Sequence, residues 1–449
     1  MDKNIQLVTD TINEKYKNTI KDSARPYFHF ASPCNMLIDV WGGIFHKGYY
    51  HLFYDISHKA EMQGGSFGHV RSFNLTEWEN LPIALVPEEE KGERNLNDGT
   101  VVIDKNGEPL MYYTRCFFDG EKNREHVAVK GSQDLIQWER LYNGEAVLTM
   151  ENHGGPKFHM SWSDPIIFHE QGRTFMIISK CTVPGEGDMI PIYEATDDTW
   201  LKWEYKGVFA EHTGEVLNFI KIKDKWVLIY SPYNNPKYFV GTFDIEKCKF
   251  ICENEGVLSY GYVQQGYITG VSRGFYATSA FEGEQQIPYI IGWISGFEDT
   301  KGWEGCVSLP RTLDIDKNNK LIMNPAPVLD SLREEKLNTD DIENIKCSKA
   351  FELNVEFIGD ITVSVDDSFR LEIKKNHIKF NDIEFDYDMK EKCRLRMYID
   401  VCIGEIFVDD GKISIARCFK QLSENSVLKI QSDGKIINCY AYKEKKLYE

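Results

Sequence analysis

Three acids in this sequence stand where an ionised side chain is expensive and where it could do chemistry. Asp39 falls in Asn35-Met36-Leu37-Ile38-Asp39-Val40-Trp41, an apolar run that leads into the Gly42-Gly43 pair. Asp164 lies in Ser163-Asp164-Pro165-Ile166-Ile167-Phe168, ahead of a proline that fixes the backbone. Glu215 follows Gly214 and opens the apolar stretch Val216-Leu217-Asn218-Phe219-Ile220. Each has a plain alternative on its own: an Asp before Pro forms turns, and a Glu after Gly sits on surfaces. Asp39 is the least ordinary, because Ile38 and Val40 flank it. Together they suit a glycosidic bond. Cleaving one takes a carboxylate nucleophile and a proton-donating carboxyl on opposite sides, and a third carboxylate can hold sugar hydroxyls in the transition state.

Such acids, far apart in sequence, must be gathered by the fold. Residues 1–24 read as a polar helical extension, with Asp10–Asp22 as its core. From Arg25 the texture changes to short strands broken by turn signals. Lys47-Gly48, Asn106-Gly107 and Asp224-Lys225 each divide paired apolar runs, which predicts hairpins. A weak repeat runs through this part. Asn74-Leu75-Thr76-Glu77-Trp78-Glu79 resembles Asp134-Leu135-Ile136-Gln137-Trp138-Glu139, and Asp198–Glu204 gives a third copy around Trp203 with one extra residue. Chance likeness among acidic-aromatic loops is the alternative. One four-stranded blade per copy predicts a β-propeller of about five blades over residues 25–325. The innermost strands of a propeller surround one channel, so acids on successive blades can converge at its mouth.

After Leu309-Pro310-Arg311 the rhythm breaks, and residues 326–345 read as a linker or bridging helix. Residues 346–449 alternate apolar and polar positions around Asp409-Asp410-Gly411, which predicts a compact β-sandwich. The expected fold class is all-β.

Composition narrows the partners. The 449 residues are 42% hydrophobic and 27% charged, an ordinary globular balance that excludes a disordered or fibrous chain. A net charge of −18 repels polyphosphates and anionic bilayers, so neither nucleic acid nor a membrane is an expected partner. No apolar run reaches the roughly 20 residues of a membrane helix, and the N-terminus lacks the apolar core of a signal peptide. The 11 cysteines show no CxxC pair or metal-ligand spacing. They predict reduced thiols in a cytoplasmic protein, with no metal and no cofactor.

Taken together, the segments resemble glycoside hydrolase family 32, the invertase and fructanase family. The likeness starts at Arg25-Pro26-Tyr27-Phe28-His29-Phe30 and runs through Tyr50–Tyr54, Phe67-Gly68-His69 and Trp78–Leu85. It returns at Ile291-Gly292-Trp293, Gly302–Cys306 and Leu309-Pro310-Arg311, then at Ile399–Gly411. The resemblance implies a five-bladed propeller with a C-terminal sandwich and a retaining mechanism. It assigns Asp39 as nucleophile, Asp164 as transition-state stabiliser and Glu215 as acid/base. The implied substrate is a small β-fructofuranoside or related furanoside, of the sucrose or sucrose 6-phosphate type. Two rival readings are a non-catalytic sugar-binding propeller and a transglycosidase.

The cradle around the acids departs from the family pattern. Asn-Asp-Pro-Asn-Gly has become Ile38-Asp39-Val40-Trp41-Gly42, and the usual Gln in the next strand is Asp55. Ser163 replaces an Arg, removing a planar five-donor group. The Phe-Ser-Gly-Ser loop survives only loosely, as Leu96-Asn97-Asp98-Gly99-Thr100, and a later acid is replaced by Gly274. Asp55, Asp98 and Ser163 are therefore expected sugar contacts, and Trp41, Phe67 and Trp303 are candidates for stacking on a sugar ring, with core packing the alternative for each. Their altered set predicts changed specificity. His153 and His159 are candidates for the pocket rim, Arg273 for a compensating charge, and His69 for packing beneath the pocket.

Overall fold

The structure, a computed structural model, describes residues 2–57, 65–117, 124–158, 161–183, 187–211, 214–264, 272–390, 392–432 and 435–441. Nearly all its regular structure is strand. Among the described residues the one α-helix is Lys3–Thr19, which starts and ends earlier than the sequence predicts. Asp2 accounts for the early start, since its carboxylate caps the amide of Asn4 at 2.7 Å. The helix buries Ile5, Thr9 and Ile12. Thr9 Oγ1 accepts from the amide of Ile83 at 3.1 Å, which fastens the helix to the sheets.

Among the described residues between Asn35 and Pro325 the strands form five sheets, each largely an antiparallel meander. The innermost strands are Asn35–His46, Glu93–Ile103, Ser161–Glu170, Glu215–Ile222 and Ser272–Glu282. These adjoin one another in a cycle. Asn35–His46 lies between Glu93–Ile103 and Ser272–Glu282, while Ser161–Glu170 lies between Glu93–Ile103 and Glu215–Ile222. Contact of Glu215–Ile222 with Ser272–Glu282 completes it. Trp303–Glu304 joins the first sheet, pairing parallel with Asn35 and Met36.

Side chains stitch the cycle where strands of different sheets cannot share ladder bonds. The amide of Gly43 donates to Ser279 Oγ at 2.8 Å, and that of Asp164 to Thr114 Oγ1 at 3.1 Å. Asn218 Nδ2 donates to the Thr278 carbonyl at 2.8 Å, and Asn218 Oδ1 accepts from Ala280 N at 2.6 Å. Each tie satisfies a polar group that is buried or partly buried between the sheets.

The repeated tryptophans mark one recurring turn. The outer strands Glu79–Asn80, Trp138–Arg140 and Trp203–Ala210 begin at or just after Trp78, Trp138 and Trp203. Three positions before each Trp the backbone is left-handed: Leu75, Leu135 and Trp200 have φ of 63°, 62° and 53°. The likeness is structural, not chance. Lys47-Gly48 forms the expected hairpin, with His46 opposite Tyr49. The turn expected at Asp224-Lys225 falls one residue early, at Lys223-Asp224, because Ile222 pairs with Lys225.

The C-terminal part holds two six-stranded sheets, and their facing sides bury Phe351, Leu353, Leu371, Leu395 and Met397. No bridging helix precedes them. The segment makes a short 3-10 turn at Pro327–Leu332, and Glu335–Lys336 then pairs with Tyr440 and Ala441.

A buried ionic knot joins the two parts. Asp400 accepts from the consecutive amides of Tyr27, Phe28 and His29 at 2.6, 3.0 and 3.0 Å. His29 lies between Asp400 Oδ2 at 2.7 Å and Glu405 Oε1 at 2.9 Å. Glu405 also receives Arg311 Nη2 at 2.6 Å and the Leu309 amide at 2.7 Å. The Arg25–Phe30 and Leu309–Arg311 motifs thus meet here, as architecture.

Candidate active site

Ladder pairing slips on every innermost strand at one level of the cycle. The register breaks between Ile38 and Val40, Asn97 and Gly99, and Ser163 and Ile166. It breaks again between Glu215 and Asn218 and between Tyr276 and Thr278. These are β-bulges, which leave a residue unpaired and re-aim its side chain. Asp39, Asp98 and Asp164 are among the displaced residues, and Glu215 stands at the edge of another break. Asp39, Asp164, Val216 and Ala277 have φ of 45°, 58°, 51° and 41°. Left-handed backbone is uncommon outside glycine, and Val is among the residues that resist it most. Five bulges at one level turn acids from separate sheets toward a common axis.

The carboxylate oxygens of Asp39, Asp55 and Asp98 lie within 4.8 Å of one another. Burial pushes Asp55 up from the ordinary carboxylate range; hydrogen bonds from Asp98 and Trp41 oppose that, and the Asp164 charge adds to it. Asp98 is pushed up further, by burial and then by the charges of Asp55, Asp39 and Asp164. A hydrogen bond links the Asp55 and Asp98 carboxyls. A hard cation could be held by oxygens so spaced. Retained protons relieve the same crowding at neutral pH.

Asp164 is 4% exposed, and one of its carboxylate oxygens is held from two sides. Its Oδ2 accepts from Ser179 Oγ at 2.8 Å and from the Val216 amide at 3.1 Å. Glu215 Oε2 accepts from Tyr233 Oη at 2.8 Å. The Tyr262 phenol lies in the field of both Glu215 and Asp39, which, after burial, raises it. Asp39, Asp164 and Glu215 are thereby brought into one neighbourhood. A cavity of about 400 Å³ continues from Asp98 and Asp164 along the innermost strands, past Val101, Ile166 and Thr278. A larger one, about 640 Å³, lies under the N-terminal helix beside Trp138 and Arg140, away from this chemistry.

The other candidates divide. Trp41 belongs to the cluster, its indole N–H donating to Asp55 at 3.2 Å. Phe67 is fully buried behind it, edge-on to the Trp41 ring at 4.4 Å. Ser163 is buried next to Asp164; its carbonyl accepts from Ser179, and its hydroxyl has no partner among the described residues. Trp303 is elsewhere: its indole donates to Asp22 at 2.8 Å and Arg25 stacks over its ring. Arg273 pairs with Glu298 at 3.3 Å, so it does not replace the lost arginine. His69 stacks on Phe53 within the first sheet, and His153 bonds Tyr193 Oη at 2.9 Å. His159 lies outside the described residues. Gly274 has a φ of 102°, and a Cβ there would stand 2.7 Å from the Gly261 carbonyl. No acid fits.

Sequence reasoning passed over Ser179, Thr114, Tyr233, Tyr262 and Tyr276. Ser179 faces Ser163 in register, a pairing that hairpin arithmetic could have suggested. Tyr233 reaches Glu215 from a loop, and Tyr262 and Tyr276 lie in the field of that acid; nothing local marks any of the three.

A cycle of antiparallel sheets with acids converging on its axis defines a propeller-type carbohydrate-active enzyme. Residues 29–325 match the family described as Glycosyl hydrolases family 32 N-terminal domain, and the chain belongs to that family. It is a glycoside hydrolase. Sucrose-6-phosphate hydrolase of Escherichia coli is 24% identical, over 91% of this chain and 92% of that protein. Acid beta-fructofuranosidase of Vicia faba is 24% identical over 76% of this chain and 56% of that one. The structure of sucrose-6-phosphate hydrolase from Lactobacillus gasseri aligns with a TM-score of 0.83 at 20% identity, covering 97% and 96% of the two chains. That structure and this chain share the fold of a propeller followed by a sandwich.

Proposed function

We propose that the chain is a retaining β-fructofuranosidase-type hydrolase of a small fructoside, with Asp39 as nucleophile, Glu215 as acid/base and Asp164 as transition-state stabiliser. The observation that carries this is the set of bulges that aims acids of separate sheets at one axis. The sucrose-6-phosphate hydrolases and β-fructofuranosidases among the relatives support the substrate class. The five innermost strands read as those of a five-bladed propeller over residues 25–325. Residues 1–24 are its helical extension, 326–345 the linker and 346–449 the sandwich. The free cysteines among the described residues favour a reducing, cytoplasmic setting. No helix among those residues is long and apolar enough to cross a membrane.

In the first step Asp39 attacks the anomeric carbon while protonated Glu215 gives its proton to the leaving oxygen. Asp164 accepts from sugar hydroxyls as positive charge develops on the ring. Water, deprotonated by Glu215, then displaces Asp39. Asp98, retaining a proton, offers a donor where the family pattern has a small loop, and Asp55 an acceptor where it has Gln. Those exchanges support an altered choice of sugar.

Fructose release from sucrose, sucrose 6-phosphate and short inulin- and levan-type oligomers, beside arabinofuranosides, tests this reading. Release that disappears in Asp39→Asn and Glu215→Gln is expected. Silence across the panel while a sugar still binds in calorimetry would make the chain a binding protein instead. Sugar passed to a second sugar in preference to water would make it a transglycosidase.

A further inference from the structure

Tyr233 occupies the loop Ser231-Pro232-Tyr233-Asn234-Asn235-Pro236. Ser231 is the register partner of Glu215, so the loop leaves the sheet directly opposite that acid. Tyr233 has a φ of 63°, strained for a side chain of its size. Several bonds hold it there. Its amide donates to Tyr276 Oη at 2.7 Å, and Tyr276 stacks on Tyr262 with ring centres 3.9 Å apart. Asn235 Oδ1 accepts from the amides of Gly261 and Tyr262 at 2.9 and 3.0 Å, tying down the far side of the loop. The strained residue delivers its hydroxyl to Glu215 Oε2 at 2.8 Å.

We infer that Tyr233 is a positioning residue that decides which oxygen of Glu215 carries the transferable proton. The inference rests on the reading of Glu215 as acid/base. The Tyr233 hydroxyl is the donor in this bond. Oε2 is occupied by that bond, so the proton resides on Oε1. In the first step the Oε1–H bond breaks and its proton passes to the leaving oxygen, while the Asp39 carboxylate bonds to the anomeric carbon and the glycosidic bond breaks. In the second, water oxygen bonds to that carbon, a water proton passes to Oε1, and the Asp39 ester bond breaks. Between the steps Glu215 is ionised, and Tyr233 then donates to a charged acceptor, the stronger kind of hydrogen bond.

Other groups face Glu215 from each neighbouring strand. Asp164 Oδ2 holds the amide of the next residue, Val216. The field of Glu215 reaches Tyr276 and Tyr262, and that of Asp39 also reaches Tyr262.

The test is Tyr233→Phe in the full chain, with sucrose and with β-fructofuranosyl fluoride, whose leaving group needs little protonation. On sucrose kcat is expected to fall about 10- to 100-fold with KM little changed, within the range that general acid catalysis supplies. On the fluoride the loss should be much smaller, and the alkaline limb of the kcat/KM profile should move to higher pH. Equal losses on both substrates with an unmoved limb would leave Tyr233 a merely structural residue. A parent enzyme inactive on both substrates would overturn the reading of Glu215 and the role of Tyr233 with it. Tyr276→Phe keeps the hydroxyl of Tyr233 but removes the acceptor of its amide. That variant should show a weaker form of the same leaving-group dependence, and equal losses there too would count against the inference.

Discussion

The amide of Val216 donates to Asp164 Oδ2 at 3.1 Å, so the backbone step after Glu215 is bonded to the carboxylate of the neighbouring sheet. Two acids from different strands are thereby set relative to each other by one bond. Val216 must be left-handed, at φ 51°, in the stretch where this bond forms. The strain is offset by a charge-assisted contact in a buried site.

Asp164→Asn separates the charge from that geometry. The amide oxygen still accepts from Val216 and Ser179, so the fold is expected to persist with little change in thermal midpoint. The lost negative charge should lower kcat/KM by about 10²–10³, the effect typical of removing one preorganised electrostatic partner. Steady-state kinetics beside a melting curve would decide it. A large fall in melting temperature with kinetics intact would assign Asp164 to structure alone.

Asp55 makes stability depend on pH in a definite direction. Burial, with the Asp164 charge, raises it in the folded chain, whereas in the unfolded chain it ionises near the ordinary value of about 4. Above that value the unfolded state releases a proton that the folded state keeps. Stability therefore falls as pH rises from about 4 until the folded carboxyl also ionises. Asp55→Asn should flatten this decline, since the amide still accepts from the Trp41 indole. Asp98 is raised in the same sense, so part of the slope should remain. Thermal midpoints from pH 5 to 8 measure both, and parallel slopes for parent and variant would refute the assignment.

The strands and the repeated turn were legible because apolar alternation and the Trp78, Trp138 and Trp203 signals are local. The three acids were legible for a similar reason, as charges inside apolar runs. The bulges were not. Asp39, Asp98 and Asp164 carry no glycine at the displaced position, and an ordinary aspartate gives no notice that its backbone is re-aimed. Trp303 shows the opposite failure. A tryptophan between glycines suits a sugar platform equally well, but Asp22 and Arg25 claim it for packing the N-terminal segment. Tyr233 was invisible because its partner Glu215 is 18 residues away, across a hairpin and beyond its end.

Gly274 answers why the pocket lacks the acid that the family pattern leads one to expect. Its φ of 102° is one that L side chains rarely adopt, and a Cβ would meet the Gly261 carbonyl at 2.7 Å. Neither neighbour is a flexible side chain that could move aside. Gly274→Ala should therefore destabilise the chain by about 1–3 kcal/mol, from backbone strain and overpacking together. Urea unfolding reads this directly. An unchanged midpoint would mean that the strand shifts easily and that the absent acid has another cause.

His29 gives the joint between the two parts its own pH signature. Burial would lower its pKa, but hydrogen bonds and charges from Asp400 and Glu405 outweigh burial and hold it up at about 9. In the unfolded chain the ring titrates near 6.5. Below that value both states bind the proton and the stabilisation is complete. Above it the folded state alone keeps the proton, so the contribution shrinks as pH rises and is lost through about 9. The decline of Asp55 begins near pH 4 and overlaps that of His29 above pH 6.5, so the single variants are what separate them. His29→Gln leaves Asp400 its amides from Tyr27, Phe28 and the residue at 29, and leaves Glu405 its bonds from Arg311 and Leu309. It removes the cation between two fully buried acids, which should cost about 3–5 kcal/mol at pH 7, as breaking buried ion pairs does. The alkaline decline between pH 7 and 9.5 should become shallower with it, leaving the part that belongs to Asp55 and Asp98. If the variant declines as steeply as the parent there, the proton lost at high pH belongs to another group and His29 is neutral in the folded chain.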